Sequence, residues 1–285
     1  MSHSLSSQTT HTRPQPNQWL VALDIDGTVL AEDGTLSEAV KSAVAKARNN
    51  GHDVTLATGR SASLTLPILR QLELDPEWVV CSNGAIILRR DVAEPEGYRR
   101  EYVEHFDPTP VLTRIKEALP WAHYAVENET GLYRYTGWFP DGALDLETEK
   151  VEFDDLLTTV ATRVVVIAPG HDMADFLDAV EKMGLHQVSY TVGWTAWLDI
   201  APEGINKSTA LEKVRNHLGY DRSRVMVIGD GRNDIEMLQW AAQSGRAVAM
   251  GQAPPEVAQH ATEVTKTHDE DGVAWALKTL PSRVS

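Results

Sequence analysis

Two carboxylates, Asp24 and Asp26, end the apolar run Trp19-Leu20-Val21-Ala22-Leu23, and Gly27 and Thr28 follow them directly. Carboxylates at this spacing can hold an oxygen-ligated metal ion and divide two roles, nucleophile and proton donor. The same residue types also build ordinary strand-end turns, so the reading gains weight only from what recurs downstream. Thr58 and Gly59 follow a second strand-like run, Asp53-Val54-Thr55-Leu56-Ala57, and Ser82 and Asn83 follow a third at 78–81. Asp230, Asn233 and Asp234 follow a fourth at 225–228. Carboxylates, small hydroxyl and amide groups, and glycines that let backbone approach closely suit a phosphate bound beside a divalent cation.

These residues meet in one cleft only if the runs carrying them are parallel strands of one sheet, whose carboxyl ends all open at the same edge. The first, third and fourth runs are continuously apolar, as strands buried on both faces should be, and helical segments alternate with the runs. Ser37 is placed to cap a helix over 37–49 that Gly51 stops. Residues 61–73 predict a second helix, which Pro67 should distort or divide. Residues 29–36 read as a small hairpin turning at Asp33-Gly34. From Lys207 the rhythm resumes with a helix at 208–218, the strand at 225–228, a helix at 234–241 and a strand at 247–249. Between these halves the pattern changes, with candidate strands near 100–106, 123–126, 163–168, 187–192 and 197–201. Helices there fit best at 109–119 and 172–183. The expected fold is therefore α/β: a doubly wound, Rossmann-like parallel-sheet core over 17–85 and 203–285, interrupted by an inserted α+β cap at 86–202. Four of the eight tryptophans (Trp121, Trp138, Trp194, Trp197) lie in the insert and are expected to serve its core. The acidic stretch at 141–155 reads as a solvated surface.

The chain has 285 residues, a formal net charge of −15 and one cysteine. That charge argues against nucleic-acid and membrane partners, but one metal ion and a lysine can still set a local field for a small phosphorylated metabolite. Cys81 alone forms no intramolecular disulfide, which fits a reducing compartment, and strand packing is its expected role. Residues 1–16, polar and lacking the apolar segment of a signal peptide, are expected to form a disordered tail. A cytoplasmic protein, monomeric or a small homo-oligomer, is the expectation.

With these residues in view, the chain resembles the haloacid dehalogenase superfamily, in its Cof-type branch of sugar-phosphate phosphatases with a type IIB cap. Asp24-Ile25-Asp26-Gly27-Thr28 resembles the family's first motif and Ala57-Thr58-Gly59-Arg60 its second. Gly204-Ile205-Asn206-Lys207 resembles the third, and Gly229-Asp230-Gly231-Arg232-Asn233-Asp234 opens the fourth. Ser82-Asn83-Gly84-Ala85 and Asp271-Gly272-Val273-Ala274 also fit the branch, whereas Gln252 and His268 stand where it often carries Asn. The resemblance implies a phosphoric monoester hydrolase in which Asp24 attacks phosphorus and becomes an aspartyl phosphate. It implies that Asp26 protonates the leaving alcohol and then activates water, and that Thr58 and Lys207 hold phosphoryl oxygens. Gly59, Asn83 and Asn233 would complete the phosphate and substrate contacts, with Arg60 ranked below Thr58. Mg²⁺ would lie between Asp24, the backbone carbonyl of Asp26, and Asp230, with Asp234 and Asn233 orienting or joining its ligands. Cap loops near 133–139 and 190–197 would tune selectivity. A phosphomutase or phosphotransferase of the same superfamily, and a non-catalytic phosphometabolite-binding regulator, are the alternatives.

Overall fold

The fold is that of a computed structural model, which describes residues 14–140, 143–144, 147–185, 188–192 and 196–282. The described chain runs β1 (Leu20–Leu23), α1 (Glu38–Asn49), β2 (Asp53–Leu56), α2 (Ala62–Gln71), β3 (Trp78–Cys81), β4 (Ile86–Arg90) and β5 (Tyr98–Val103). It continues through α3 (Thr109–Ala118), β6 (His123–Glu127), β7 (Tyr133–Tyr135), β8 (Thr148–Lys150), α4 (Phe153–Leu156), β9 (Arg163–Ile167), α5 (Met173–Met183), β10 (Val188–Val192) and β11 (Trp197–Pro202). The last part contains α6 (Lys207–Leu218), β12 (Val225–Gly229), α7 (Ile235–Ala242), β13 (Arg246–Ala249), α8 (Pro255–Ala258), β14 (Glu263–Val264) and α9 (Gly272–Leu277).

The core sheet has the order β14-β13-β12-β1-β2, all parallel. β1 shows why its sequence is apolar throughout: Val21 and Leu23 enter one hydrophobic cluster, Leu20 and Ala22 the cluster on the opposite face. A strand buried on both faces has no side for polar residues, so polarity begins only at its end, with Asp24. α1 forms because Ser37 Oγ accepts from Val40 N, and Val40, Val44 and Ala47 are buried along one helical face. α2 runs unbroken past Pro67, contrary to the expectation of a divided helix. A helix held down by buried Leu66, Ile68 and Leu69 tolerates one missing N–H. The hairpin expectation holds in reduced form: Leu30 bridges Leu36, and Gly34 takes a φ of +82° at the turn.

β3 joins β2 through a parallel bridge from Val80 to Ala57, and β4 and β5 then pair antiparallel in sequence. Ile86 and Leu88 enter one core cluster and Ile87 the other. A domain division after residue 85 therefore cuts between hydrogen-bonded strands, and we propose the division near residue 104 instead. The insert has a second sheet, β10-β11-β9-β6-β7-β8, antiparallel except for β7 with β8. Tyr124, Val126, Val164 and Val166 face its helices with Phe176 of α5. Among the described residues the insert's tryptophans stay outside this cluster: Trp121 is 38% and Trp138 57% exposed, and half-buried Trp197 packs against the smaller cluster on the sheet's other face. Aliphatic and smaller aromatic side chains fill it instead. Trp194, part of the 190–197 loop and part of the 141–155 stretch lie outside the described residues, as do residues 1–13. The described part of that acidic stretch is largely exposed, as expected. Among the described residues no helix is long and apolar enough to cross a membrane.

Candidate active site

The parallel register lines up Leu23, Leu56 and Ile228, so the residues just beyond β1, β2 and β12 share one edge. Asp24 N still donates to Ile228 O at 3.0 Å, which fixes the carboxylate at the end of the ladder. The chain then turns sharply at Gly27, whose φ is +73°. A Cβ there would lie 2.2 Å from Asp230 Oδ2, so only glycine lets the first loop pass this close to the fourth. Thr28 Oγ1 donates to Asp230 Oδ1 at 3.0 Å across the same contact.

Lys207 is the first residue of α6, whose start is capped by Asn206 Oδ1 accepting from Ser208 N and Thr209 N. That cap aims the lysine into the sheet edge, where its side chain is fully buried. Nζ lies 2.6 Å from Asp24 Oδ1 and 2.7 Å from Asp234 Oδ1. Asp234 Oδ2 in turn accepts from the backbone N–H of Asp230 and of Gly231, both at 2.9 Å. Both oxygens of Asp234 are thus engaged by the protein itself.

Three carboxylates confront one ammonium here. Burial pushes the Asp24 carboxyl well above its usual range, reinforced by Asp234, Asp230 and Asp26 and opposed by Lys207. Burial and Asp234 push Asp230 up to about 7, although Thr28 and Lys207 pull the other way. Burial disfavours the charged form of Lys207, yet Asp234 and Asp24 outweigh it and hold the ammonium above its ordinary value. Asp24 and Lys207 thus both move upward: one cation cannot neutralise three acids. Oxygens of Asp24, Asp230 and Asp234 all lie within 4.8 Å of one another. An all-carboxylate set with excess negative charge fits a hard divalent cation such as Mg²⁺. The side chain of Asp26 is not in this group.

Asp26 is exposed, and its carboxylate is gripped by Arg60 through Nε at 2.9 Å and Nη2 at 2.5 Å. Arg60 N donates to Thr58 Oγ1 at 3.1 Å, so the Thr58 hydroxyl keeps its own hydrogen for another acceptor. Asn233 Nδ2 donates to Asn83 Oδ1 at 3.1 Å, leaving the Asn83 amide hydrogens facing elsewhere. Gly59 sits under this pair, with a would-be Cβ 3.1 Å from Asn83 Oδ1 and 3.4 Å from Asn233 Nδ2. Backbone bonds from Ser82 N to Arg60 O (2.8 Å) and from Asn83 N to Thr58 O (3.0 Å) tie the second and third strand ends together. Cys81 is buried in β3 with its thiol pushed up to about 12 by burial, so it is an inert packing residue.

The sequence places Arg60 below Thr58 and gives Thr28 no separate part; the structure pairs Arg60 with Asp26 and Thr28 with Asp230. Gln252 did not announce its part either: Nε2 donates to Gly27 O at 2.5 Å and Oε1 accepts from His268 N at 3.1 Å, so it props the first loop. Glu127 carried one unused signal, a charge ending the apolar strand 123–127. Of the two cap loops expected to tune selectivity, 133–139 buries Tyr133 and Phe139 and exposes Trp138.

Comparison with known proteins agrees with this geometry. The sequence profile of the haloacid dehalogenase-like hydrolases matches residues 21–277. The chain is 30% identical over 268 residues to 5-amino-6-(5-phospho-D-ribitylamino)uracil phosphatase YitU of Bacillus subtilis, covering 91% of this chain and 96% of that protein. It is 27% identical over 271 residues to the HMP-PP phosphatase of Yersinia enterocolitica, covering 91% and 94%. The solved structure of the subclass IIB sugar phosphatase BT4131 superposes with a TM-score of 0.75 at 21% identity, over 91% of this chain and 98% of that one. At that identity the likeness is one of fold.

Proposed function

Because the chain belongs to the haloacid dehalogenase-like hydrolases and is a phosphatase of their Cof-type branch, we propose that it is a Mg²⁺-dependent hydrolase of small phosphomonoesters, chiefly sugar phosphates and related metabolites, working through an aspartyl phosphate on Asp24. The observation that carries this reading is the buried Asp24–Lys207–Asp234 arrangement beside Asp230. The names of the relatives, which act on a phosphoribityl compound and on HMP-PP, support the substrate class.

Asp24 Oδ2 attacks phosphorus while Oδ1 stays bonded to Lys207, which keeps the carboxylate oriented. The P–O bond to the alcohol breaks, and Asp26 delivers its proton to the departing oxygen. Asp26 then takes a proton from water as that water attacks the acyl phosphate; inorganic phosphate leaves and Asp24 is regenerated. Lys207 has three N–H donors and spends two on Asp24 and Asp234, so one remains for a phosphoryl oxygen. The Thr58 hydroxyl and the Asn83 amide supply further donors. Mg²⁺ held by Asp24 and Asp230, with the Asp26 carbonyl, would supply positive charge beside the transferring group. Asp234 would not need to be a ligand: its oxygens hold Lys207 and the Asp230–Gly231 backbone. The cap would exclude bulk water from the acyl phosphate. A cytoplasmic location suits a chain whose one cysteine is a buried thiol.

The test is a Mg²⁺-supplemented screen for phosphate release from sugar phosphates, polyol phosphates, nucleotides and pyridoxal phosphate. Turnover concentrated on sugar and polyol phosphates is expected. Binding without release of phosphate from any of them would overturn the reading.

A further inference from the structure

We infer that Glu127, a residue of the inserted cap, is a positioning residue for the active site: its hydrogen bond to Ser82 transmits closure of the cap to Asn83. The inference rests on the phosphatase reading and adds to it how the cap is coupled to the chemistry.

Glu127 ends β6 and is fully buried. Its Oε2 accepts from Ser82 Oγ at 2.9 Å, a bond from cap to core, and from Tyr133 OH at 3.0 Å within the cap. Tyr133 OH also accepts from Arg163 Nη1 at 3.1 Å, and Arg163 Nε is bonded to Asp199 Oδ1 at 2.5 Å. Glu127 Oε1 has no hydrogen-bond partner among the described residues. A buried carboxylate braced on one side by its own sheet and bonded on the other to a single serine of the core has the arrangement of a latch.

The serine it holds is in an unusual place. Ser82 and Asn83 have φ values of +47° and +50°, a left-handed conformation that side-chain-bearing residues seldom adopt. Such a turn persists only when its surroundings over-determine it. From the core side it is fixed by the bonds to Arg60 O and Thr58 O and by Asn233. From the cap side the Ser82 side chain is fixed by Glu127. Asn83 is the next residue along, packed against Gly59 and bonded to Asn233. Separating cap from core breaks the Ser82–Glu127 bond and removes one of the constraints on this turn. Docking restores it, so Asn83 is fully held only when the cleft is covered.

The experiment pairs hydrolysis with backbone exchange in Glu127→Ala, Glu127→Gln, Ser82→Ala and the Glu127→Ala/Ser82→Ala double variant. Both single alanine variants should lower kcat about 10- to 100-fold with smaller changes in KM. The double variant should stay within about threefold of the worse single, as expected for two ends of one bond. Glu127→Gln, which still accepts from Ser82, should restore kcat to within about fivefold of the parent. Hydrogen exchange at the amides of Ser82 and Asn83 should accelerate about tenfold or more in Glu127→Ala and Ser82→Ala but not in Glu127→Gln. Multiplicative losses in the double variant, or unchanged exchange at these amides, would overturn the coupling. The exchange measurement needs no substrate: if the parent hydrolyses nothing, the phosphatase reading fails, and exchange alone still decides whether Glu127 holds the turn.

Discussion

Lys207 and Asp234 form an ion pair at 2.7 Å in which neither side chain is exposed to solvent. Lys207 also holds Asp24, so a single ammonium balances the attacking carboxylate and the acid that anchors the fourth loop. Buried pairs of this kind add little net stability while intact, but removing one partner leaves uncompensated charge.

Lys207→Met should therefore destabilise the protein by about 3–5 kcal/mol near neutral pH and eliminate turnover. Urea unfolding monitored by circular dichroism checks the first effect and phosphate release the second. A variant of parental stability would mean that the three carboxylates do not depend on this lysine.

Arg60 and Asp26 lie at the exposed mouth of the site, where an ion pair contributes little to stability. Arg60→Ala should leave the melting temperature nearly unchanged yet impair proton delivery to the leaving group. An alkyl phosphate needs that proton, whereas nitrophenolate leaves without it. Turnover of an alkyl phosphate should fall about 10-fold or more while p-nitrophenyl phosphate falls by less, and Asp26→Asn should widen the gap. Arg60→Lys, which keeps the charge but loses the fork, should lie between. Equal losses on both substrates would exclude a role in leaving-group protonation.

Burial raises the folded-state pKa values of Asp24 and Asp230 above the ordinary carboxylate range, that of Asp230 to about 7. The folded protein therefore binds protons that the unfolded chain has released. Their contribution to stability is fully present below about pH 4 and is lost as pH rises through about 7 for Asp230 and through the raised value for Asp24. With metal removed by chelation, the melting temperature should fall between about pH 5 and about pH 8. Mg²⁺, competing with those protons, should raise it most at the alkaline end. Thermal scans across pH with chelator and with Mg²⁺ make the comparison; a Mg²⁺ effect that vanishes as pH rises would contradict the assignment.

Gly27→Ala introduces a methyl 2.2 Å from Asp230 Oδ2 at a φ of +73°. The variant should fold with a loss of about 1–3 kcal/mol and need far more Mg²⁺ for half-maximal activity. Metal titrations of activity test this, and an unchanged Mg²⁺ requirement would separate Gly27 from the metal site.

The chemistry was legible because β1, β3 and most of β12 are apolar up to the polar residues beyond their carboxyl ends, so Asp24, Asn83 and Asp230 mark strand ends in the sequence itself, and Thr58 follows the more mixed run at 53–57. Periodicity and caps also located most helices, as Ser37 and Asp172 illustrate. Long-range choices were less visible. β4 and β5 read as part of the insert because the antiparallel pairing of β4 with β3, and of β5 with β4, is set by tertiary structure and not by local pattern. The grip of Arg60 on Asp26 and of Glu127 on Ser82 joins residues 34 and 45 positions apart, and no spacing rule predicts such contacts. Tryptophan count misled: Trp121 stacks on His171 at the cap surface with ring centroids 3.4 Å apart, outside the cap's core.

The central claim is that Asp24 becomes phosphorylated during turnover. Rapid quenching of the enzyme with substrate and Mg²⁺, borohydride reduction of any acyl phosphate and peptide mass spectrometry test it most directly. The account predicts homoserine in place of aspartate at position 24, none at position 26, and neither product nor modification in Asp24→Asn. Turnover by Asp24→Asn, or an unmodified Asp24 in enzyme quenched during steady hydrolysis with the modification found elsewhere, would contradict it.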